Sequence, residues 1–246
     1  MNYGKIKVIV CDTYEEMSNE AANIVAGEIK KKPEFVLGLA TGTSPLGLYS
    51  GLAERNAKGE IDFAKVKTFN LDEYYPIDPA NDQSYRYFMN KNLFDKVNIK
   101  KENTRVPDGS AKNTDEFCKE YEKAIKAAGG VDLQVLGIGR NGHIGFNEPC
   151  DKFHNETHVV VLTENTIDAN SRFFASADLV PKKAITMGVG TIMNAKKIVM
   201  VVNGENKAEA VKGMLTGDVT PANQASVLQY HNDVTVLLDK EAASLL

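Results

Sequence analysis

Along this chain, short apolar runs alternate with longer stretches in which apolar residues return at every third or fourth position. The runs are Lys5–Val10, Phe35–Ala40, Val66–Leu71, Leu133–Ile138, Val159–Leu162, Ala184–Val189, Ile198–Val202 and Val234–Leu238, and each predicts a strand. The unbroken ones predict strands buried on both faces. Between them, Met17, Ala21, Ile24, Val25 and Ile29 mark a helix, and Asp115–Ala128 and Glu205–Leu215 predict two more. Thr13 followed by Glu16 fits a capping box. Ser44 is placed to cap the next helix, with Pro45 at its first turn. Strands alternating with helices predict an α/β fold, an open, mostly parallel sheet with helices on both faces. With no linker, repeat or low-complexity tract, residues 1–246 are expected to form a single α/β catalytic domain.

Composition narrows the functions open to such a fold. Hydrophobic residues make up 43% and charged residues 25%, as in an ordinary globular protein. A net charge of −4 supplies no basic field for nucleic acid, although a few local cations could still bind a small anion. Cys11, Cys118 and Cys150 are odd in number and widely spaced, which suggests neither a disulfide framework nor a zinc knuckle. The apolar stretch near the N-terminus is too short for a signal peptide or a membrane span, so the expectation is a cytoplasmic protein with no membrane partner.

In an open sheet, ligands gather at the carboxyl ends of strands. Four predicted exits carry chemistry: Thr41–Ser44, Asp72-Glu73, Gly137–Glu148 and Asn203–Lys207. The third reads LGIGRNGHIGFNEP from residue 136 and contains G-x-G-x-x-G. A dinucleotide site would need a helix to open at the third glycine, but Gly145 and Pro149 oppose one. The loop reads instead as a holder for His143, with Asn141 and Glu148 nearby. The imidazole is then either a general acid–base backed by a carboxylate or a structural loop histidine. Of Asp72 and Glu73, one could act as a base while the other faces solvent or pairs with a cation; a plain acidic turn is the alternative. Thr41, Gly42 and Ser44, at a helix start, offer a phosphate cradle or merely a capped helix. Arg172, in the helix-like stretch Glu164–Phe174, and Lys207 are the cations such a cradle could recruit. No Gly-Lys-Ser/Thr follows the cradle, so it is not a P-loop. His154 and His158 stand four apart, but Glu156 is out of order for a zinc-protease helix and His158 starts a predicted strand.

Taken together, LATGTSP, FNLDEYY, LGIGRNGHIGFNEP, NSRFF, KKAITMG, GENKAEAV and ASVLQYHNDVTVLLD resemble, in this order, the glucosamine-6-phosphate deaminase family, across nearly the whole chain. The resemblance implies a Rossmann-like sugar-phosphate isomerase fold. It implies conversion of glucosamine 6-phosphate and water to fructose 6-phosphate and ammonia in N-acetylglucosamine catabolism, without metal or other cofactor. It further implies that Asp72 moves the C2 proton and that His143 moves the ring-opening proton. Glu148 and Asn141 would orient that histidine, and Thr41, Gly42, Ser44, Arg172 and Lys207 would surround the phosphate.

Two departures refine the expectation. Many members carry aspartate where Asn141 stands; asparagine can hydrogen-bond the imidazole but supplies no charge, leaving Glu148 alone to stabilise its protonated form. Activated relatives carry basic residues where this chain reads His158-Val-Val-Val161, and they extend further at the C-terminus. That favours a monomer without allosteric activation over a hexamer. Two rival readings are a 6-phosphogluconolactonase, whose corresponding loop lacks an acid matching Glu148, and a sugar-phosphate sensor, which would need none of Asp72, His143 and Glu148.

Overall fold

A computed structural model describes residues 1–172, 174 and 176–246, with the side chain of residue 177 left aside. Its frame is an eight-stranded sheet. In chain order the strands and helices begin with β1 (Asn2–Tyr3), β2 (Ile6–Cys11), α1 (Tyr14–Lys31), β3 (Val36–Leu39), α2 (Leu46–Ala57), β4 (Lys67–Asn70), β5 (Asp72–Tyr75) and α3 (Tyr85–Met89). There follow β6 (Thr104–Arg105), α4 (Thr114–Ala127), β7 (Leu133–Leu136), β8 (His158–Val161), α5 (Glu164–Ser171) and β9 (Lys183–Thr186). The remaining elements are α6 (Val189–Met193), β10 (Ile198–Val202), α7 (Ala208–Thr216) and β11 (Val234–Asp239).

The large sheet runs β1-β2-β11-β10-β7-β3-β4-β6, parallel except where β1 turns back on β2. Every residue of β3, β7 and β10 is buried, so both faces of the central strands are covered, as their unbroken apolarity predicts. From β3 the chain moves outward to β4 and β6; from β7 it moves the other way, to β10 and β11. The carboxyl ends of β3 and β7 therefore flank a topological switch point, where a crevice opens.

Two predicted strands leave this sheet. β8 and β9 pair with β5 as a small antiparallel sheet, ordered β5-β9-β8. Its apolar side holds a second, smaller cluster of Tyr74, Ile77, Phe146, Leu162, Val180 and Ala184. Leu71 joins the two sheets: its N–H donates to the Leu39 carbonyl at 3.0 Å, and its own carbonyl accepts from Met187 at 2.7 Å. Asp72 and Glu73 thus stand in a strand that starts where β4 ends, rather than in a turn. The apolar run Ala184–Val189 is also divided, because Gly188 breaks the strand and Val189 opens α6.

Local signals at helix starts are met unevenly. Thr13 caps α1 by accepting from the Glu16 N–H, while the Glu16 carboxylate accepts from Asp12 one residue before the cap. Ser44 does not cap α2. Pro45 occupies that position without a side-chain bond, and the Ser44 hydroxyl donates to Asn203 Oδ1 at 2.6 Å. The helix around residue 170 ends at Ser171 with Arg172 at its C-cap, and residue 173 of the predicted stretch lies outside the described residues.

Candidate active site

A cavity of about 180 Å³ occupies the crevice at the carboxyl ends of β3 and β7. Thr41, Gly42, Ser44, Asp72, His143, Arg172 and Lys207 all line it, so groups far apart in sequence converge on one space. Asn141 and Glu148 are not on the lining but stand next to His143.

The glycine-rich loop leads from β7 to the histidine, and no helix forms between Gly137 and Thr157. Without that helix N-terminus the loop cannot hold a pyrophosphate as a dinucleotide fold does. Gly139 is needed for a different reason: any Cβ there would collide with the imidazole of His143. His143 Nδ1 lies 3.6 Å from Glu148 Oε2, and both side chains are largely buried. Asn141 does not bond the ring. Its Oδ1 accepts the His143 backbone N–H at 3.3 Å, and its Nδ2 donates to Glu148 Oε2 at 3.0 Å. Asn141 therefore orients the carboxylate and the loop. The other Glu148 oxygen accepts from the Thr163 N–H at 3.3 Å. Burial pushes the Glu148 carboxyl up, but His143, Thr166 and Asn141 outweigh it and hold the group at about 2.

The loop then crosses Asp72. Gly145 has φ +58, and a Cβ there would lie 2.9 Å from Thr186 Oγ1 and 3.4 Å from Asp72 Oδ2. Thr186 is the strand partner of Asp72 and accepts the Phe146 N–H at 3.1 Å, which fixes the loop over the carboxyl. Adjacent strand residues point to opposite faces, so Asp72 meets the cavity while Glu73 turns away. The Glu73 carboxylate accepts N–H groups from Tyr74, Tyr85 and Arg86 at 2.8–2.9 Å. Burial raises Glu73 while those donors favour its ionised form. Among the described residues, Asp72 has no such donors. Burial, and then the neighbouring Glu73 charge, push its carboxyl up to about 8.

Arg140, Arg172 and Lys207 add cations to the lining. Lys207 is lowered to about 8 by burial and then by Arg140 and Arg172. Thr41–Ser44 line the same cavity as these cations. An anion among these cations would relieve their mutual repulsion. Several lining residues escaped the sequence reading, Arg140, Asn206 and Tyr85 among them. Arg140 sits among the glycines as apparent filler, Asn206 beside Lys207 gave no distinctive pattern, and Tyr85 sits too far along the chain from Asp72. The Tyr85 signal is the aromatic set Tyr74, Tyr85 and Phe146, whose rings pack together under the small sheet with centroids 4.9–5.8 Å apart. His154 and His158 lie elsewhere, with rings stacked 4.1 Å apart.

The model of the family "Glucosamine-6-phosphate isomerases/6-phosphogluconolactonase" matches residues 12–236. A glucosamine-6-phosphate deaminase of Thermoanaerobacter sp. (strain X514) is 58% identical over 98% of this chain and 95% of its own. A solved structure described as a monomeric glucosamine-6-phosphate deaminase superposes with a TM-score of 0.95 at 47% identity, covering 98% of this chain and all of its own. A 6-phosphogluconolactonase from Trypanosoma cruzi shares the fold, with a TM-score of 0.76 at 23% identity over 100% of this chain and 98% of its own.

Proposed function

This chain belongs to the family of glucosamine-6-phosphate isomerases and 6-phosphogluconolactonases, and we propose that its residues Asp72 and His143 carry out the deaminase reaction at the switch-point cavity. The enzyme is a glucosamine-6-phosphate deaminase of amino-sugar catabolism, converting glucosamine 6-phosphate and water to fructose 6-phosphate and ammonia. The observation that carries the residue roles is the shared cavity. A buried carboxyl, an imidazole backed by an ionised carboxylate and a cationic end all face one space.

The phosphate lies in the Thr41, Gly42 and Ser44 cradle against Lys207 and Arg172, and this remote contact fixes the sugar for reaction. His143 takes the anomeric hydroxyl proton and returns it to the ring oxygen, which opens the pyranose to its aldehyde. Glu148, held ionised by its partners, stabilises the imidazolium between these two transfers, and Asn141 keeps Glu148 in place. Asp72 then removes the C2 hydrogen while the aldehyde oxygen takes a proton from the substrate ammonium, leaving an enolamine across C1 and C2. Return of the proton to C1 produces the C2 iminium. Water adds at C2 and ammonia leaves, giving the ketose phosphate. The raised pKa of Asp72 suits a group that must both accept and return a proton, and the substrate ammonium beside it favours the carboxylate form.

The lactonase reading is weaker, because lactone hydrolysis moves no C2 proton and leaves the buried Asp72 without a task. A sensor would need none of Asp72, His143 and Glu148. The catalytic unit is the whole chain acting as a cytoplasmic monomer, a state supported by the monomeric relative. Among the described residues no helix is long and apolar enough to cross a membrane. Ammonia and fructose 6-phosphate release from glucosamine 6-phosphate tests the reaction, with Asp72→Asn as control. Equal turnover by that variant would remove Asp72 from the mechanism, and light scattering tests the monomer.

A further inference from the structure

We propose that Arg140 is a third substrate-binding cation, completing the phosphate end of the cavity from within the histidine loop. The inference rests on the deaminase reading of that cavity and adds a residue to it. The Gly142 N–H donates to the Gly139 carbonyl at 3.0 Å, and the Gly139 N–H donates to the His143 carbonyl at 2.9 Å. Arg140 and Asn141 are therefore the two central residues of one tight turn. Their side chains diverge. Asn141 reaches back to Glu148, whereas Arg140 lines the cavity beside Lys207 and Arg172. Arg140 also lies close enough to Lys207 for its charge to act on that ammonium, as Arg172 does. Among the described residues, no carboxylate is ion-paired with Arg140 or Lys207. A phosphate dianion between them neutralises the cluster, and the planar guanidinium can meet two of its oxygens at once. A single turn thereby ties the proton-transfer end of the site to the anion-holding end.

The test compares Arg140→Leu and Arg140→Lys with the parent enzyme. For the leucine variant, KM for glucosamine 6-phosphate is expected to rise roughly tenfold, with kcat within about twofold, as for loss of one partly exposed charge-assisted bond. Inorganic phosphate, titrated by calorimetry, should weaken by a similar factor. The alkaline limb of kcat/KM should also move to higher pH, because Lys207 loses a cationic neighbour, a shift that a merely structural role would not produce. Arg140→Lys, which keeps the charge but not the planar fork, should recover part of the affinity. Unchanged KM and phosphate affinity in the leucine variant, or a lysine variant as weak as leucine, would overturn the proposal. If the parent enzyme releases no ammonia, the deaminase reading fails, while phosphate calorimetry still decides the role of Arg140.

Discussion

The imidazole of His143 and the backbone of Gly139 share a space that admits no side chain at residue 139, for a Cβ there would strike the ring carbon Cε1 and both ring nitrogens. A glycine spacing that looks like a nucleotide fingerprint is here a seat for the His143 imidazole. Gly139→Ala is expected to displace the ring and lower kcat by about 10²–10⁴, the range of one general acid–base step. Far-ultraviolet circular dichroism should stay close to that of the parent. Turnover within twofold of the parent would sever the link between this glycine and the ring.

Glu73 is expected to tune Asp72 through its charge. The Asp72 carboxyl is raised by burial and then by Glu73, so replacing Glu73 with neutral glutamine lets Asp72 ionise at lower pH. The acid limb of kcat/KM, which reports ionisation of the base in the free enzyme, should move to lower pH in Glu73→Gln. A stationary limb in a folded variant would assign Glu73 to anchoring α3 alone.

The same burial makes Asp72 a stability liability. Its folded value of about 8 exceeds the ordinary 3.8, so the folded state retains a proton that the unfolded chain has released between those values. Stability from that proton is fully present below the lower value and is lost as pH rises through the upper one. Asp72→Asn, uncharged throughout, should melt a few degrees higher than the parent near neutral pH, with the gain vanishing towards about pH 4. Identical melting at both pH values would contradict it.

Glu148 has the opposite sign. Its folded value of about 2 lies below the ordinary 4.5, so the stability it contributes is present above 4.5 and is lost as pH falls towards 2. In chemical denaturation the gap between the parent and Glu148→Gln should therefore narrow on acidification. At neutral pH the variant should lose ring opening, read as about a 10²-fold fall in kcat/KM on glucosamine 6-phosphate.

Lys207 should set the alkaline edge of substrate binding. Burial and then the two arginines lower it to about 8, so above that pH the empty site holds a neutral amine and KM should climb. Lys207→Met should raise KM at neutral pH by roughly 10- to 100-fold, the worth of a charged bond, and flatten that rise. An unchanged alkaline profile would assign the edge to another group.

Much of this molecule is readable along the chain, because its periodic signals are local. Central strands such as Ile198–Val202 are apolar without interruption, α1 carries its own cap at Thr13, and the order of strands and helices implies a parallel sheet. Glycines and proline in the His143 loop exclude the helix a dinucleotide needs, and that too is local steric information. The types of the reacting groups are likewise written in the residues themselves.

Tertiary structure decided everything that depends on which distant segment lies alongside which. Pairing with β9 makes Asp72-Glu73 a strand, and the strand's alternation sends one carboxyl to the cavity and the other to α3. Apolar periodicity could not separate β8 and β9 from the main sheet, because an apolar run does not name its partner. Ser44 serves Asn203 rather than its own helix, and Asn141 serves Glu148 rather than the imidazole. Arg140 joins a cluster of cations on the cavity lining only because Lys207, from another strand exit, lies near it. Composition and spacing fix the available donors, acceptors and charges; long-range packing sets their mutual distances, and electrostatics depends on those distances.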